Sequence, residues 1–554
     1  MKRKATLVNL SKRLACLFLA LIGLITYLNS FANYFVWDDE ILIVGNGYIK
    51  SFSNLFKIFT VDIFHWITNS NFYRPLFSLS LMFDYRLWQL NPFGYHLTNL
   101  ILHLLNTFLV FYLINFLSLN LKASLIGSLF YLVHPVHTQA VTYISGRADL
   151  LAGFFILSAL LLFARVNKTK AGSKNVFYFL SALFFIFGLL AKEIALVLPL
   201  LLILYDYCFG DKLKNFKKHI PFLSLACIYI LLRNKFLPFQ SEGMLPLSLS
   251  TRIINFPKVI VFYLFLLLSP GNLRIDRSFS LSRPLDLSVI FCILLLIAIL
   301  LWIVKYRYNK VLLFSSLWFF ILLLPVTNII LPLNAVVADH WLYLPSIGFF
   351  IILALGMDKL LGKDFFITGL KISYQFKMTI IVVIITTLSL LTITRNFEWR
   401  DPVILFEATL KSAHKNADHW DIRVHANLAN AYLEKGLYNQ AILEFQEALK
   451  GFPFPQCKRV HYQLAFVYFA QSLYQKAEEE LLKAIEADPD YVSAYYMLGR
   501  LYKKMGKIDK AQATWEKMLK AKPSHPQEQA ILENFRRRPL YNSLTNNQFY
   551  NNIE

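Results

Sequence analysis

Charge is what this chain has too little of. Asp, Glu, Lys and Arg make up only 16% of its 554 residues, where a soluble globular protein carries about 25%. That shortage excludes one large soluble core. Acids are scarcer than bases, 34 against 56, which leaves a formal charge of +22. In a soluble protein such a surplus would suggest nucleic acid. Here the bases sit in short loops between apolar runs, where cytoplasmic loops and anionic headgroups collect them, so the partner they imply is membrane lipid and not nucleic acid. Cysteine is sparse too. Cys16, Cys208, Cys227 and Cys292 lie in or beside apolar runs and Cys457 lies in the C-terminal part. No metal spacing and no disulfide framework emerges, so they read as packing residues. The P-loop, G-x-G-x-x-G and G-x-S-x-G signatures of soluble enzymes are missing.

What is present is hydrophobic sequence, 56% of the chain, concentrated before residue 394. The N-terminus carries Lys2, Arg3, Lys4, Lys12 and Arg13 and then an apolar stretch from about Leu14 to Phe35. That stretch is too long for a signal-peptide core and long enough to span a bilayer. Further spans are expected near 95–117, 122–142, 149–165, 176–191, 193–207, 219–233, 287–304, 311–331, 341–358 and 378–394. The apolar segment 253–269 is read as a re-entrant or interfacial helix that does not cross. Loop charge orients the spans: Lys168, Lys170 and Lys174, then Lys212, Lys214, Lys217 and Lys218, then Lys305, Arg307 and Lys310, then Lys359, Lys363, Lys371 and Lys377 all fall inside with the N-terminus. Eleven crossings then place the C-terminal part outside, together with 36–94, 143–148, Lys192, 234–286 and 332–340.

The C-terminal part repeats. Copies begin at 422, 458 and 492, and each carries a small residue (Ala429, Ala465, Gly499), a tyrosine (Tyr432, Tyr468, Tyr502), an alanine (Ala441, Ala477, Ala511) and a closing proline (Pro453, Pro489, Pro523). Small residues let paired helices cross closely, and proline ends the second helix. This is the tetratricopeptide pattern, whose stacks bind peptides or proteins in a groove. The expected fold is all-α: a polytopic transmembrane helix bundle followed by a tetratricopeptide-repeat α-solenoid. The expected divisions are 1–394, a helical junction at 395–421, repeats at 422–525 and a C-terminal tail at 526–554 that is rich in Asn after Arg538.

The candidate chemistry lies on the outer pieces. VWDDE at 36–40 sets Asp38, Asp39 and Glu40 directly after a span, with Tyr34 and Trp37 anchoring that face. A carboxylate there could act as general base on a hydroxyl. HPVHTQAVTYISGRADLLAG, 134–153, supplies His134, His137, Arg147 and Asp149. Two histidines three apart could face one way as metal ligands, but Pro135 disturbs that helix. Arg147 reads as a phosphate binder, since guanidinium forks match phosphate oxygens. Lys192 and Glu193 share a tight turn and either pair with each other or put positive charge near a phosphate. Asp339 and His340 precede Trp341 and Tyr343, whose rings suit the interface belt, and Arg74 lies in YRPL. His103, inside an apolar run, reads as a hydrogen-bonded bundle residue.

Taken together, VWDDE, HPVHTQAV with GRADLL, AKE and DHWLYLPSIGF, followed by the repeats, resemble the transmembrane and tetratricopeptide-repeat O-mannosyltransferases, members of the C-type superfamily of membrane glycosyltransferases. The resemblance implies transfer of a sugar, mannose or a related hexose, from a polyprenyl-phosphate donor to a Ser or Thr hydroxyl of a protein or peptide acceptor, with inversion, outside the cytosol. On that resemblance one of Asp38, Asp39 and Glu40 is the base, while Arg147, Lys192 and His340 are donor-phosphate ligands. His134 and His137 fall in the family's His-Pro motif. Arg74, Asp149, Glu193, Asp339 and Tyr343 complete the candidate site. No metal ligand set is assigned, although a divalent metal stays open as a cofactor. One departure stands out: where the family has an acid followed by Arg, this chain has Asp339 and His340, so phosphate binding there should weaken or follow the histidine titration near pH 6.5. An O-antigen-ligase-like transferase, which keeps its key residues in a late outer loop, and a non-enzymatic repeat scaffold are the competing readings. A transporter would keep its charges at midplane. Compact repeats and short loops favour a bacterial inner membrane with periplasmic repeats. In an endoplasmic reticulum membrane the repeats would be lumenal.

Overall fold

The computed structural model describes residues 2–65, 70, 72–166, 171–210, 215–237, 247–277, 279–283, 286–362, 366–367, 370–371, 373–412, 422–451, 457–523 and 525–537. Lys168, Lys170, Lys212, Lys214, Lys363 and Pro453 lie outside the described residues, as does the tail after 537. Among the described residues the only strands are a two-residue antiparallel pair, Phe366–Ile367 with Leu370–Lys371, and the other regular elements are helices.

Helix α1 runs Lys2–Tyr27 and continues through a 3-10 turn to Ala32. The first connecting loop contains a helix that the periodicity of the sequence did not suggest, α2 at Pro75–Trp88. Next come α3 (Pro92–Ser118), α4 (Leu121–Val133), the single turn α5 (Thr138–Val141), α6 (Arg147–Val166), α7 (Ala171–Ala191), α8 (Leu198–Phe209) and α9 (Ile220–Phe236). They are followed by α10 (Leu249–Leu268), α11 (Leu287–Lys305), α12 (Lys310–Leu323), α13 (Ser346–Gly362) and α14 (Tyr374–Glu398). Local chemistry sets the starts. Proline opens α2 and α3, where a missing N–H costs nothing. Asn91, Asn120 and Ser248 cap α3, α4 and α10 by accepting from the N–H of Phe93, Ala123 and Thr251. The end of α4 is set by Pro135: His134 is extended and Pro135–His137 form a 3-10 turn, because proline disfavours helix at the preceding residue.

Among the described residues seven helices are long and apolar enough to cross a membrane, the one at Leu249–Leu268 included. Helices α4, α8, α9, α12 and α13 are shorter, with 13, 12, 17, 14 and 17 residues. At 1.5 Å per residue the shortest covers only about 18 Å of a core about 30 Å thick. These are the segments where the expected eleven crossings exceed the seven long helices. Helix α10 touches segments that follow other helices at both its ends. Arg252 donates to the Asn328 carbonyl at 2.6 Å, Asn255 accepts from the Ser282 N–H at 2.9 Å, and the Leu267 carbonyl meets His134 Nε2 at 3.1 Å.

The repeats form three helix pairs: α16 (Ile422–Glu434) with α17 (Tyr438–Leu449), α18 (Lys458–Ala470) with α19 (Tyr474–Ala487), and α20 (Val492–Lys504) with α21 (Ile508–Lys520). They are preceded by α15 (Pro402–Lys411) and followed by α22 (Pro526–Arg537). Residues 526–537, assigned to the tail from sequence, thus form a helix. Leu532 and Phe535 are buried, with Phe535 against Trp515, and Glu528 accepts from the Ser493 N–H. The helix covers the end of a stack that would otherwise leave that apolar face open. The turn inside each pair needs a left-handed residue. Gly436 and Gly506 supply it at φ +72 and +76, but the middle repeat puts Ser472 there at φ 61. Because that conformation costs an L-residue about 1–2 kcal/mol, Ser472→Gly should stabilise the repeats by about 1 kcal/mol. The check is urea-dependent protease resistance of the repeat module in the intact chain; no gain would sink the strain argument.

The repeat module is seated on one end of the helix bundle, the end that holds Asp38 and Asp39. Val36, Tyr143, Ile275 and Trp399 from the membrane body and Val424 and Leu428 from α16 share one apolar cluster. Arg423 pairs with Asp276, and Lys435 pairs with Asp401 at 2.8 Å.

Candidate functional site

Trp37 is the pivot of the acidic loop. It takes φ 58, uncommon for a bulky residue, and its ring stacks on Tyr143 at 5.5 Å, which stacks on Trp399 at 5.2 Å. The chain then enters a five-residue π-helix, Glu40–Val44, a rare element that gathers at functional sites. Asp39 is sealed at 0% exposure, its Oδ1 accepting from the Ser145 N–H at 2.8 Å and from the Ser145 hydroxyl, its Oδ2 from the Val36 N–H at 3.3 Å. Asp38 is only partly buried. Burial pushes Asp38 up to about 6 against the pull of Tyr143 and Arg423. Burial likewise pushes Asp39 to about 7, and Glu40 to about 7 with Glu434 adding repulsion.

A second group gathers at the same end. Lys192 Nζ meets Asp149 Oδ1 at 2.7 Å, and Arg74 binds Glu193 Oε2 through Nε at 3.2 Å and Nη2 at 3.0 Å. Of the two sequence alternatives for Lys192 and Glu193, neighbour pairing is not what occurs: each takes a partner from another segment. His340 stands among them, its backbone N–H bound to Gln139 Oε1 at 3.1 Å. Burial, with Lys192 and Arg74 pushing the same way, lowers His340 to about 4. It is therefore neutral near pH 7 and does not titrate near 6.5. His340 Nδ1 and Glu193 Oε1 are buried and, among the described residues, hydrogen-bond to nothing.

Several candidates do not join these groups. Arg147 is wholly buried and its guanidinium is used up: Asp84 at 2.6 Å, Asn99 Oδ1 at 2.7 Å and the Tyr95 carbonyl at 3.0 Å. It is a bolt between α2, α3 and α6 with no fork left for a phosphate. His137 binds the Tyr131 carbonyl at 2.7 Å and Ser346 Oγ at 3.0 Å. His134 is taken by Leu267 and by its own turn. Tyr343 OH meets His103 at 2.9 Å and Asn106 at 3.0 Å, so it belongs to a buried polar chain in the bundle, and His103 is the bundle residue the sequence suggested. Among the described residues no group of three or more His, Cys, Asp or Glu side chains is placed to hold a metal ion.

Sequence reasoning missed Arg274 and Arg277. Asp339, 2% exposed, receives the Arg274 N–H at 2.9 Å, Arg277 Nε at 2.7 Å and Arg277 Nη2 at 3.2 Å. The residue after Asp339 is His340 and not a fixed cation, and the cation that answers Asp339 comes from the segment after α10. A buried acid without an adjacent base was the available signal.

The fold and site thus define a membrane protein whose repeat module packs beside an acidic loop, and whose bundle also gathers Arg74 and Lys192 with their acidic partners. Tetratricopeptide-repeat family models match residues 427–492 and 480–513. The chain is 29% identical over 458 residues to the protein O-mannosyl-transferase F38B6.6 of Caenorhabditis elegans, covering 78% of this chain and 62% of that one. It is 27% identical over 563 residues to human protein O-mannosyl-transferase TMTC3, covering 92% and 55%, and 26% identical over 489 residues to human TMTC4, covering 76% and 64%. The chain spans about half to two thirds of the length of these relatives. The likeness runs through membrane body and repeats alike, and it is to the family whose motifs the sequence carries.

Proposed function

We propose that this chain is a membrane glycosyltransferase that moves mannose or a related hexose from a polyprenyl-phosphate donor to a Ser or Thr hydroxyl of a polypeptide, with inversion. The carrying observation is that one short segment serves both halves of the chemistry: Ser145 holds Asp39 in the acidic loop, and Asp149, four residues on, holds Lys192 among the cations. Asp38 is the base, because it is the partly exposed member of the pair while Asp39 is spent on positioning the loop. It takes the proton as the acceptor oxygen bonds to the anomeric carbon; the sugar–phosphate bond breaks on the opposite face and the phosphate leaves with the electron pair. Arg74 and Lys192 stabilise that charge, and neutral His340 offers Nδ1 to a phosphate or sugar oxygen. Names borne by the relatives support the activity.

The division into a membrane body at 1–394, a junction, repeats and a terminal segment is supported by where the helices group. Eleven crossings are supported by α10, whose contacts at both ends fit a helix that stays on the acidic side. The repeats then share the non-cytosolic face with the site, in a bacterial inner membrane or in the endoplasmic reticulum.

The test supplies membranes containing the chain with labelled polyprenyl-phosphate mannose and follows label onto protein. Label above a blank carrying Asp38→Asn and Asp39→Asn together is expected. Transfer only to a glycan would favour the ligase reading, and no label above the blank would overturn the proposal.

A further inference from the structure

The four residues at 274–277, in the connection after α10, are each held by a partner from elsewhere in the chain. The Arg274 N–H donates to Asp339 Oδ2 at 2.9 Å. The Ile275 carbonyl accepts from Gln139 Nε2 at 3.2 Å, and the buried Ile275 side chain packs in one cluster with Val36 and with Val424 of the first repeat helix, α16. Asp276 takes Arg423, also of α16, whose Nη2 lies 2.9 Å from Oδ1 and 2.8 Å from Oδ2. Arg277 returns to Asp339, with Nε 2.7 Å from Oδ1 and Nη2 3.2 Å from Oδ2. One short strap thus has one side on the repeat module and the other on Asp339.

The turn gripped on that other side is itself fixed at three successive residues. Ala338 donates its N–H to the Tyr263 hydroxyl of α10 at 3.1 Å, Asp339 holds Arg274 and Arg277, and the His340 N–H donates to Gln139 Oε1 at 3.1 Å. The buried amide of Gln139, on α5, is spent on both segments, its oxygen on His340 and its nitrogen on Ile275. The His340 ring is not spent in this way. Its Nδ1 is buried and, among the described residues, hydrogen-bonds to nothing. A buried polar atom left open calls for an explanation, and a backbone held this firmly around it is the frame that a ligand-binding atom needs.

The two ion pairs of the strap differ in setting. Arg277 and Asp339 are buried, whereas Asp276 and Arg423 are partly exposed. Water can replace the second pair, so it is the end of the strap that can be released without leaving a sealed charge unpaired.

We propose that the strap at 274–277 is a positioning element of the transfer site: through Asp276 and Gln139, the seated first repeat sets the place of His340 toward the donor. This rests on the reading that His340 meets the donor. The repeat module is then part of what aligns the donor end of the site, as well as a platform for acceptors.

The experiment uses the full chain in lipid nanodiscs with two readouts. The first is steady-state transfer from labelled polyprenyl-phosphate mannose. Asp276→Ala should raise the donor KM about three- to tenfold and leave the acceptor KM nearly unchanged. Exchanging the pair, Asp276→Arg with Arg423→Asp, should recover most of the loss. Lys435→Ala, which breaks the ion pair between the repeat module and Asp401, should leave the donor KM where it was. The second readout is hydrogen exchange of the backbone amides at 338–340, followed by mass spectrometry. Asp276→Ala and Gln139→Leu should both speed it, and Lys435→Ala should not. An unchanged donor KM in Asp276→Ala, a rise matched by Lys435→Ala, or unaltered exchange at 338–340 overturns the proposal. Should the wild-type chain transfer no mannose, the functional reading fails and the exchange measurement alone decides whether the strap holds His340.

Discussion

Asp38→Asn is expected to lower transfer by roughly 10²–10⁴-fold, the range for loss of a positioned general base, with the donor KM nearly unchanged. The asparagine keeps the size of the side chain but cannot accept the hydroxyl proton. Asp39→Asn should act differently. Its oxygens receive Ser145 and Val36, so the amide loses part of that grip and lets the loop shift; a loss of about tenfold, spread over kcat and KM, is expected. The wild-type rate should fall as pH drops below about 6, where burial has placed Asp38. The sign follows from the chemistry: only the ionised carboxylate takes the proton, so protonation removes activity. Measuring kcat and KM across pH for the two variants separates the roles, and equal behaviour of both would refute the assignment of the base to Asp38.

Arg147→Ala is expected to destabilise the membrane body by about 3–5 kcal/mol, the cost of leaving a buried charge without its partner. The charge left behind is Asp84, 4% exposed, which among the described residues keeps only the Thr98 hydroxyl. Thermal unfolding in detergent should show the loss, and Asp84→Asn combined with Arg147→Met should recover much of it, because no uncompensated charge is then left buried. A fully stable Arg147→Ala protein with a raised donor KM would return Arg147 to the phosphate role that its sequence motif suggested.

Arg147 also shows where sequence reading stops. The tetratricopeptide repeats were legible because their constraints are local: small residues at fixed spacing and a turn that wants glycine at Gly436 and Gly506. That Asp38, Lys192 and Asp339 lie in connections between helices was legible because apolar runs set the loops. Which groups meet was not. Arg147 and Asp84 are 63 positions apart, on helices whose packing no periodicity announces, and α2 hid in a loop of ordinary composition. His340 looked like a titrating cation until its burial beside Lys192 was seen. Arg277 drew no notice because its partner Asp339 lies 62 residues on.

The joint between the first and last long membrane helices has a consequence in time. Asn396 donates to the Thr26 carbonyl and to Asn29 Oδ1, and accepts from the Thr142 hydroxyl, while the Tyr34 N–H binds the Arg400 carbonyl. Asn396 and Asn29 are 367 residues apart. At roughly 5–20 residues per second, a ribosome needs about 20–70 seconds to make the second after the first. For that interval Asp38 stands at the end of a newly inserted helix with neither Trp399 nor Arg423 yet in existence. The nascent chain carries its acids early and gains their setting late.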